Sequence, residues 1–107
     1  MSAAGSGAEL KRALRAYFES LGAPVAFESL ASRPWASITF SGERHRLSLC
    51  LPGPGAAAAV DTFLDGLGER EFVLRSHILA DIEAVSVTHD EDGQIRVLLE
   101  ALTVEDA

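Results

Sequence analysis

Two stretches of the chain repeat their apolar residues at the helical period. Leu10, Ala13, Leu14, Tyr17, Phe18 and Leu21 return to one side every three or four positions, while Lys11, Arg12, Arg15 and Glu19 fall on the other. Ser6 stands three residues before Glu9, the spacing at which two side chains cap the free N–H groups of a first turn. Gly22 and Pro24 stop the run, so a helix is predicted from Gly7 to Leu21. Ala56, Ala59, Val60, Phe63, Leu64 and Leu67 form a second stripe, with Asp61 and Asp65 on its wet side and Gly68 as its stop. Gly66 inside that last turn weakens it by roughly 0.5–1 kcal/mol relative to alanine.

Elsewhere the period is two. Val25-Ala26-Phe27 reads as a short strand, and Ser32-Arg33-Pro34 as a turn. Ala36, Ile38 and Phe40 alternate with Ser37 and Thr39, and Leu47, Leu49 and Leu51 with Arg46, Ser48 and Cys50. A four-residue link, Ser41 to Arg44, makes these a hairpin in which Phe40 opposes His45 and Ile38 opposes Leu47, keeping both apolar rows on one side. Phe72 and Leu74 suggest a further short strand before two long ones, Ile78 to Thr88 and Ile95 to Val104. A three-residue link, Glu91-Asp92-Gly93, with Gly93 left-handed, opposes Val87 with Val97 and Val85 with Leu99. The predicted order is α-β-β-β-α-β-β-β. It implies an α+β two-layer sandwich, two helices on one face of a mainly antiparallel sheet.

Composition narrows the class. A chain of 107 residues is one domain's worth and buries roughly two-thirds of its unfolded surface without needing disulfide or metal. Hydrophobic residues at 48% and charged residues at 23% match a folded domain rather than a disordered one. The longest uncharged stretch, Leu47 to Val60, is broken by Pro52, Gly53, Pro54 and Gly55, and falls short of the ~20 apolar residues of a membrane helix. No membrane partner is expected. Residues 1–6 are expected to form a flexible tail ahead of a single domain over 7–106. A start without basic or apolar leader character, and the single Cys50, point to the cytoplasm.

The net charge of −7 argues against a nucleic-acid partner, and it is unevenly placed. Up to Gly53, six basic residues outnumber four acidic ones; from Pro54 onward, three basic residues face twelve acidic ones. The chain is therefore polarised, mildly basic first and strongly acidic after.

Candidate chemistry is thin. His45, His77 and His89 lie in three separate segments without metal-ligand spacing, and read as surface or turn residues. Cys50 on a strand reads as a small, semi-buried hydrophobe rather than a nucleophile. Pro52-Gly53-Pro54-Gly55 precedes a helix but lacks the Lys-Ser/Thr of a phosphate loop, and its prolines remove N–H donors. Asp61/Asp65 and Glu69/Glu71 fall on wet surfaces, and His89 to Gly93 is a turn rather than a calcium loop. No catalytic, cofactor-binding or metal-ligating residue is assigned. Arg44-His45-Arg46 with Arg33 and Trp35 form a small basic and aromatic patch of the kind that meets RNA or phosphate, against which the acidic remainder weighs. The sheet face away from the helices carries Trp35, Ser37, Thr39, Ser48, Cys50 and Leu98. That half-apolar face, or the long C-terminal hairpin acting as an arm, is expected to meet a second copy or a protein partner, with Trp35, Arg44, Arg46 and Leu98 as candidate contacts. The competing expectation is a small-ligand or minor enzymatic pocket between helix and sheet near Trp35, His45 or His77.

From about Leu10 to Asp106 the chain resembles the tail-completion, or tail-terminator, proteins of long-tailed phages and gene transfer agents. The resemblance rests on Pro34-Trp35-Ala36-Ser37-Ile38, on His45-Arg46-Leu47-Ser48-Leu49, and on an Ala-rich helix. A closing Asp92-Gly93 hairpin that ends Glu100-Ala101-Leu102-Thr103-Val104-Glu105-Asp106 continues it. The segments before Pro34 and between Ser41 and Arg44 are shorter than that family has. The resemblance implies a non-enzymatic structural role in a ring of like domains.

Overall fold

The computed structural model describes residues 5–105. Helix α1 (Ser6–Ser20) is followed by strands β1 (Ala26–Ala36) and β2 (Ser41–Leu51), then helix α2 (Ala56–Leu64), a single 3-10 turn (Leu67–Glu69), and strands β3 (His77–His89) and β4 (Ile95–Glu105). The strands form one antiparallel sheet in the order β1-β2-β4-β3. Leu10, Leu14 and Phe18 of α1 and Ala59, Val60 and Phe63 of α2 pack on Leu47, Leu49, Val97, Leu99 and Ile82 to make the core. Both helices thus cover one sheet face, as the amphipathic stripes imply. Among the described residues no helix is long and apolar enough to cross a membrane.

The order is α-β-β-α-β-β, two strands shorter than the sequence suggested. Ala26, Phe27 and the following residues belong to one long β1, which begins just after Val25 and passes straight through Ser32-Arg33-Pro34. β1 is an edge strand, where proline's missing N–H costs the ladder nothing. The expected strand around Ile38 is instead the hairpin turn. Ser37 Oγ accepts the N–H groups of Thr39 and Phe40 at 3.3 and 3.0 Å, and the Ser37 N–H donates to the Phe40 carbonyl at 2.7 Å. Ile38 and Phe40 are left exposed, and Ser41 to Arg44, expected as the link, starts β2. The true partners of Leu47 and His45 are therefore Leu30 and Ser32, not Ile38 and Phe40. The Phe72–Leu74 segment makes only an isolated bridge, between Val73 and Ile78.

In the second hairpin the three-residue link holds, with Gly93 at φ +88° and Val87 opposite Val97. Val85 is bulged out, so Ala84 rather than Val85 faces Leu99. The stop of α1 is also as read: Gly22 is left-handed, and the Gly22 and Ala23 N–H groups return to the Glu19 and Phe18 carbonyls at 3.0 Å. α2 ends earlier than expected, at Leu64, because Gly66 rather than Gly68 takes the left-handed position.

The start of α1 departs most. Gly5 is the N-cap and no side chain caps the turn. Ser6, expected in the tail, is fully buried within the helix, and residues 1–4 of that expected tail lie outside the described residues. Ser6 and Glu9 turn outward from their own helix to two polar clusters described below.

Candidate functional site

The pleat sorts the sheet residues into two sets. On β4, Ile95, Val97, Leu99, Ala101 and Thr103 face the helices, so Arg96, Leu98, Glu100, Leu102 and Val104 face away. The register carries this division across the sheet. One outer row runs Trp35, Gly42, Val104, Ile78; the next Arg33, Arg44, Leu102, Asp81; the next Ala31, Arg46, Glu100, Glu83; the next Ser29, Ser48, Leu98, Ser86. The four candidate contacts of the sequence reading, Trp35, Arg44, Arg46 and Leu98, all lie on this face. Ser37 and Thr39 do not, being in the turn.

The polarity of the chain has become a polarity of the surface. Since β1 and β2 are sheet neighbours, as are β4 and β3, the basic first half and acidic second half occupy opposite sides of one face. Arg33, Arg44 and Arg46 line one wall of an open trough of about 400 Å³, and Asp81, Glu83 and Glu100 line the other. Arg46 reaches Glu100 at 3.6 Å, with both side chains about half exposed. Such an exposed pair contributes roughly 0–1 kcal/mol. Arg33, Arg44, Asp81 and Glu83 have no ion-pair partner among the described residues. Farther along, Arg96 binds Glu28 and Asp90 at 2.6 and 2.7 Å, and its hydrogen bond holds the Glu28 carboxyl below the usual range.

Two positions shape the end of the face. A Cβ at Gly42 would lie 1.8 Å from the Thr103 carbonyl oxygen and 3.0 Å from Trp35 Nε1. Glycine here permits a close backbone approach, and the Trp35 indole crosses over it to donate to the Thr103 carbonyl at 3.1 Å. Ile78 in this row, Val73 bridged to it, and Ile38 and Phe40 of the β1–β2 turn are all exposed apolar side chains.

The polar residues missed from sequence lie on the other side of the sheet, around the first turn of α1. His45, read as a surface histidine, is 2% exposed. Its ring sits between Ser32 Oγ, 2.7 Å from Nδ1, and Ser6 Oγ, 2.8 Å from Nε2. Ser6 donates to Glu43 Oε1 at 2.6 Å and accepts from Thr103 Oγ1 at 2.9 Å. With the Ser6 proton committed to Glu43, the ring donates from Nε2, and in the neutral form that burial favours Nδ1 accepts from Ser32. Every partner is satisfied internally, and Ser6 is wholly buried. The cluster is a clamp tying α1 to β1, β2 and β4. The signal was present, since His45 is in phase with Leu47, Leu49 and Leu51.

Glu9, 4% exposed, forms the second clamp. It accepts the Ser76 N–H and hydroxyl at 2.9 and 2.5 Å and contacts His77 Nδ1 at 3.1 Å. Burial pushes its carboxyl up, but the Ser76 and His77 hydrogen bonds outweigh this and hold it at about 2. Burial likewise holds His45 below its ordinary value, against the opposing pull of Glu43. Both shifts act in the same direction. Between each folded value and its higher unfolded value, the unfolded chain binds the extra proton. The His45 contribution is complete above about pH 6.5 and declines below it. The Glu9 contribution is complete above about pH 5 and is lost as the pH falls through 4.5 towards 2. Its size is roughly 2–3 kcal/mol. Thermal unfolding followed from pH 8 to pH 3 should show a falling midpoint, with Glu9→Gln flattening the fall below pH 5. A midpoint in the unaltered chain that is level between pH 5 and pH 3 would contradict the Glu9 clamp.

Cys50 is 5% exposed and its thiol donates to Gln94 Oε1 at 2.9 Å; burial pushes the thiol up, away from the reactive thiolate. No three His, Cys, Asp or Glu side chains converge among the described residues to hold a metal ion. A second depression, of about 440 Å³, lies between Gly53–Ala57 and the β3–β4 turn, with His89, Asp90 and Asp92 on its rim. Comparison with known proteins finds no matching family model, curated protein or solved structure.

Proposed function

We propose that this chain is a non-catalytic cytoplasmic interaction domain that self-associates through the outer face of its sheet. The observation supporting this reading is the division of that face. Around the trough Arg33, Arg44 and Arg46 line one side and Asp81, Glu83 and Glu100 the other, four of these six have no ion-pair partner among the described residues, and Leu98, Leu102, Val104, Trp35 and Ile78 are interleaved with them. Arg33 and Asp81 stand on opposite edge strands, about 14 Å apart, and the one ion pair made across the trough within one copy, among the described residues, is Arg46–Glu100 at 3.6 Å. The sheet edges are poor alternatives: β1 carries Pro34 and a bulge at Glu28, and β3 carries two bulges. The resemblance to tail-terminator proteins supports self-association of like domains in general; a ring would use a further, head-to-tail contact elsewhere on the domain. The pocket between helix and sheet has less support, because that layer is filled by Leu14, Phe18, Leu47, Leu49 and Phe63, all fully buried.

Four strands about 4.8 Å apart and about ten residues long offer roughly 650 Å² per copy, or about 1,300 Å² in a pair. This is the low end of the range for a stable interface, so the association is expected to be reversible and concentration-dependent. Sedimentation velocity up to several hundred micromolar should show the monomer giving way to a dimer or larger species. The Arg33→Glu/Arg46→Glu variant, which makes both sides of the face acidic, should remain monomeric. An unaltered chain that stays monomeric throughout would contradict the proposal.

A further inference from the structure

Resting on that reading, we infer that the occupant of the outer face is a second copy related by a two-fold axis running along the strands. Two copies placed face to face can share a two-fold axis along the strands or across them. An axis across the strands lays β1 on β1 and β2 on β2, setting arginines against arginines and carboxylates against carboxylates. An axis along the strands, between β2 and β4, lays β1 on the partner's β3 and β2 on the partner's β4. Arg96 is already held by Glu28 and Asp90, and only this second arrangement sets the unpaired Arg33 against an unpaired carboxylate, Asp81.

The register then specifies the contacts, because rotation about the strand direction leaves each row at its own level. Arg33 faces the partner's Asp81, and Arg46 faces the partner's Glu100. Arg44 lies over the partner's Leu102, where its aliphatic stem covers the leucine. In the end row Trp35 faces the partner's Ile78, and the partner's Val104 meets the Trp35 indole where it crosses Gly42. Two-fold symmetry repeats each contact, and the interface closes at two copies on this face. Packed sheets stand about 10 Å apart, a gap that arginine and carboxylate side chains span from both sides. Their twist sets the strands of the two sheets at about −30°, which places the axis about 15° from the strand direction.

The test is cross-linking with a bis-maleimide of about 10 Å reach, matched to that sheet separation. It uses a Cys50→Ser background that carries Ala31→Cys, Glu83→Cys or both. Ala31 and Glu83 are exposed on opposite edge strands of one copy, and face each other only across the inferred pair. Sedimentation of the same variants accompanies the cross-linking. The expected result is cross-linked dimer from the double variant and loss of it in either single variant. Dimer cross-linked by Ala31→Cys alone would overturn the axis along the strands while leaving self-association standing. A dimer by sedimentation that no variant cross-links would overturn the face-to-face arrangement. Monomer in every sample, including the Cys50→Ser background, would overturn the self-association reading itself.

Discussion

Phe18→Ala is expected to cost about 3–5 kcal/mol, a large part of the stability of a domain this size. The side chain is fully buried, its ring 4.8 Å from Phe63 and edge-on to Tyr17 at 5.5 Å. Tyr17 in turn meets Phe72, so this group joins α1, α2 and the segment leading into β3. Removing Phe18 leaves a cavity bounded by elements already fixed by the sheet, which cannot close in to fill it. Chemical denaturation should show the midpoint moving sharply to lower denaturant. A loss below about 1 kcal/mol would mean that the helix layer is far looser than described.

Gly42→Ala is the second large effect, and it acts through the backbone. Glycine φ is not the issue at this position; the added methyl would meet the Thr103 carbonyl oxygen, an atom of the neighbouring strand. β2 and β4 must separate locally, and Trp35 is displaced with them, since its Nε1 lies 3.0 Å from the added methyl and donates to the same Thr103 carbonyl. Overpacking of this kind costs about 2–3 kcal/mol. In a domain near 100 residues that lowers the unfolding midpoint by roughly 10–20 °C. Trp35 is the single tryptophan, so its emission should shift in the folded variant as its hydrogen bond to Thr103 is lost. Unchanged emission and an unchanged midpoint would contradict the close approach.

Much of this architecture is legible in the chain, and the exceptions have particular causes. Helical and strand periods locate both helices, the long C-terminal hairpin and the face that each buries. Ile38 and Phe40 mislead because their alternation is genuine but local. Ser37 offers its hydroxyl to two backbone N–H groups and closes a turn before any partner strand can use the pattern. Pro34 misleads because a proline marks a break in a central strand but not on an edge. Val85 shifts its hairpin by a bulge, which alternation alone does not reveal.

The site divides in the same way. Trp35, Arg44, Arg46 and Leu98 were legible as one face because a strand's period of two needs no tertiary information. Their acidic counterparts were visible only as a net charge on the second half, until the order β1-β2-β4-β3 placed Asp81, Glu83 and Glu100 beside the arginines. The clamps were hidden for a different reason. Ser6 and Glu9 carry the spacing of a capping pair, and only contacts with β2, β4 and the segment before β3 draw them away from that role.

The most direct measurement is a dilution series of amide NMR spectra from several hundred micromolar downward. Association through the outer face predicts concentration-dependent shifts at Ala31, Arg44, Arg46, Glu100 and Leu102, with those of Leu14, Val60 and Phe63 in the helix layer unmoved. Spectra that do not change with concentration, or changes confined to the exposed sides of α1 and α2, would contradict it.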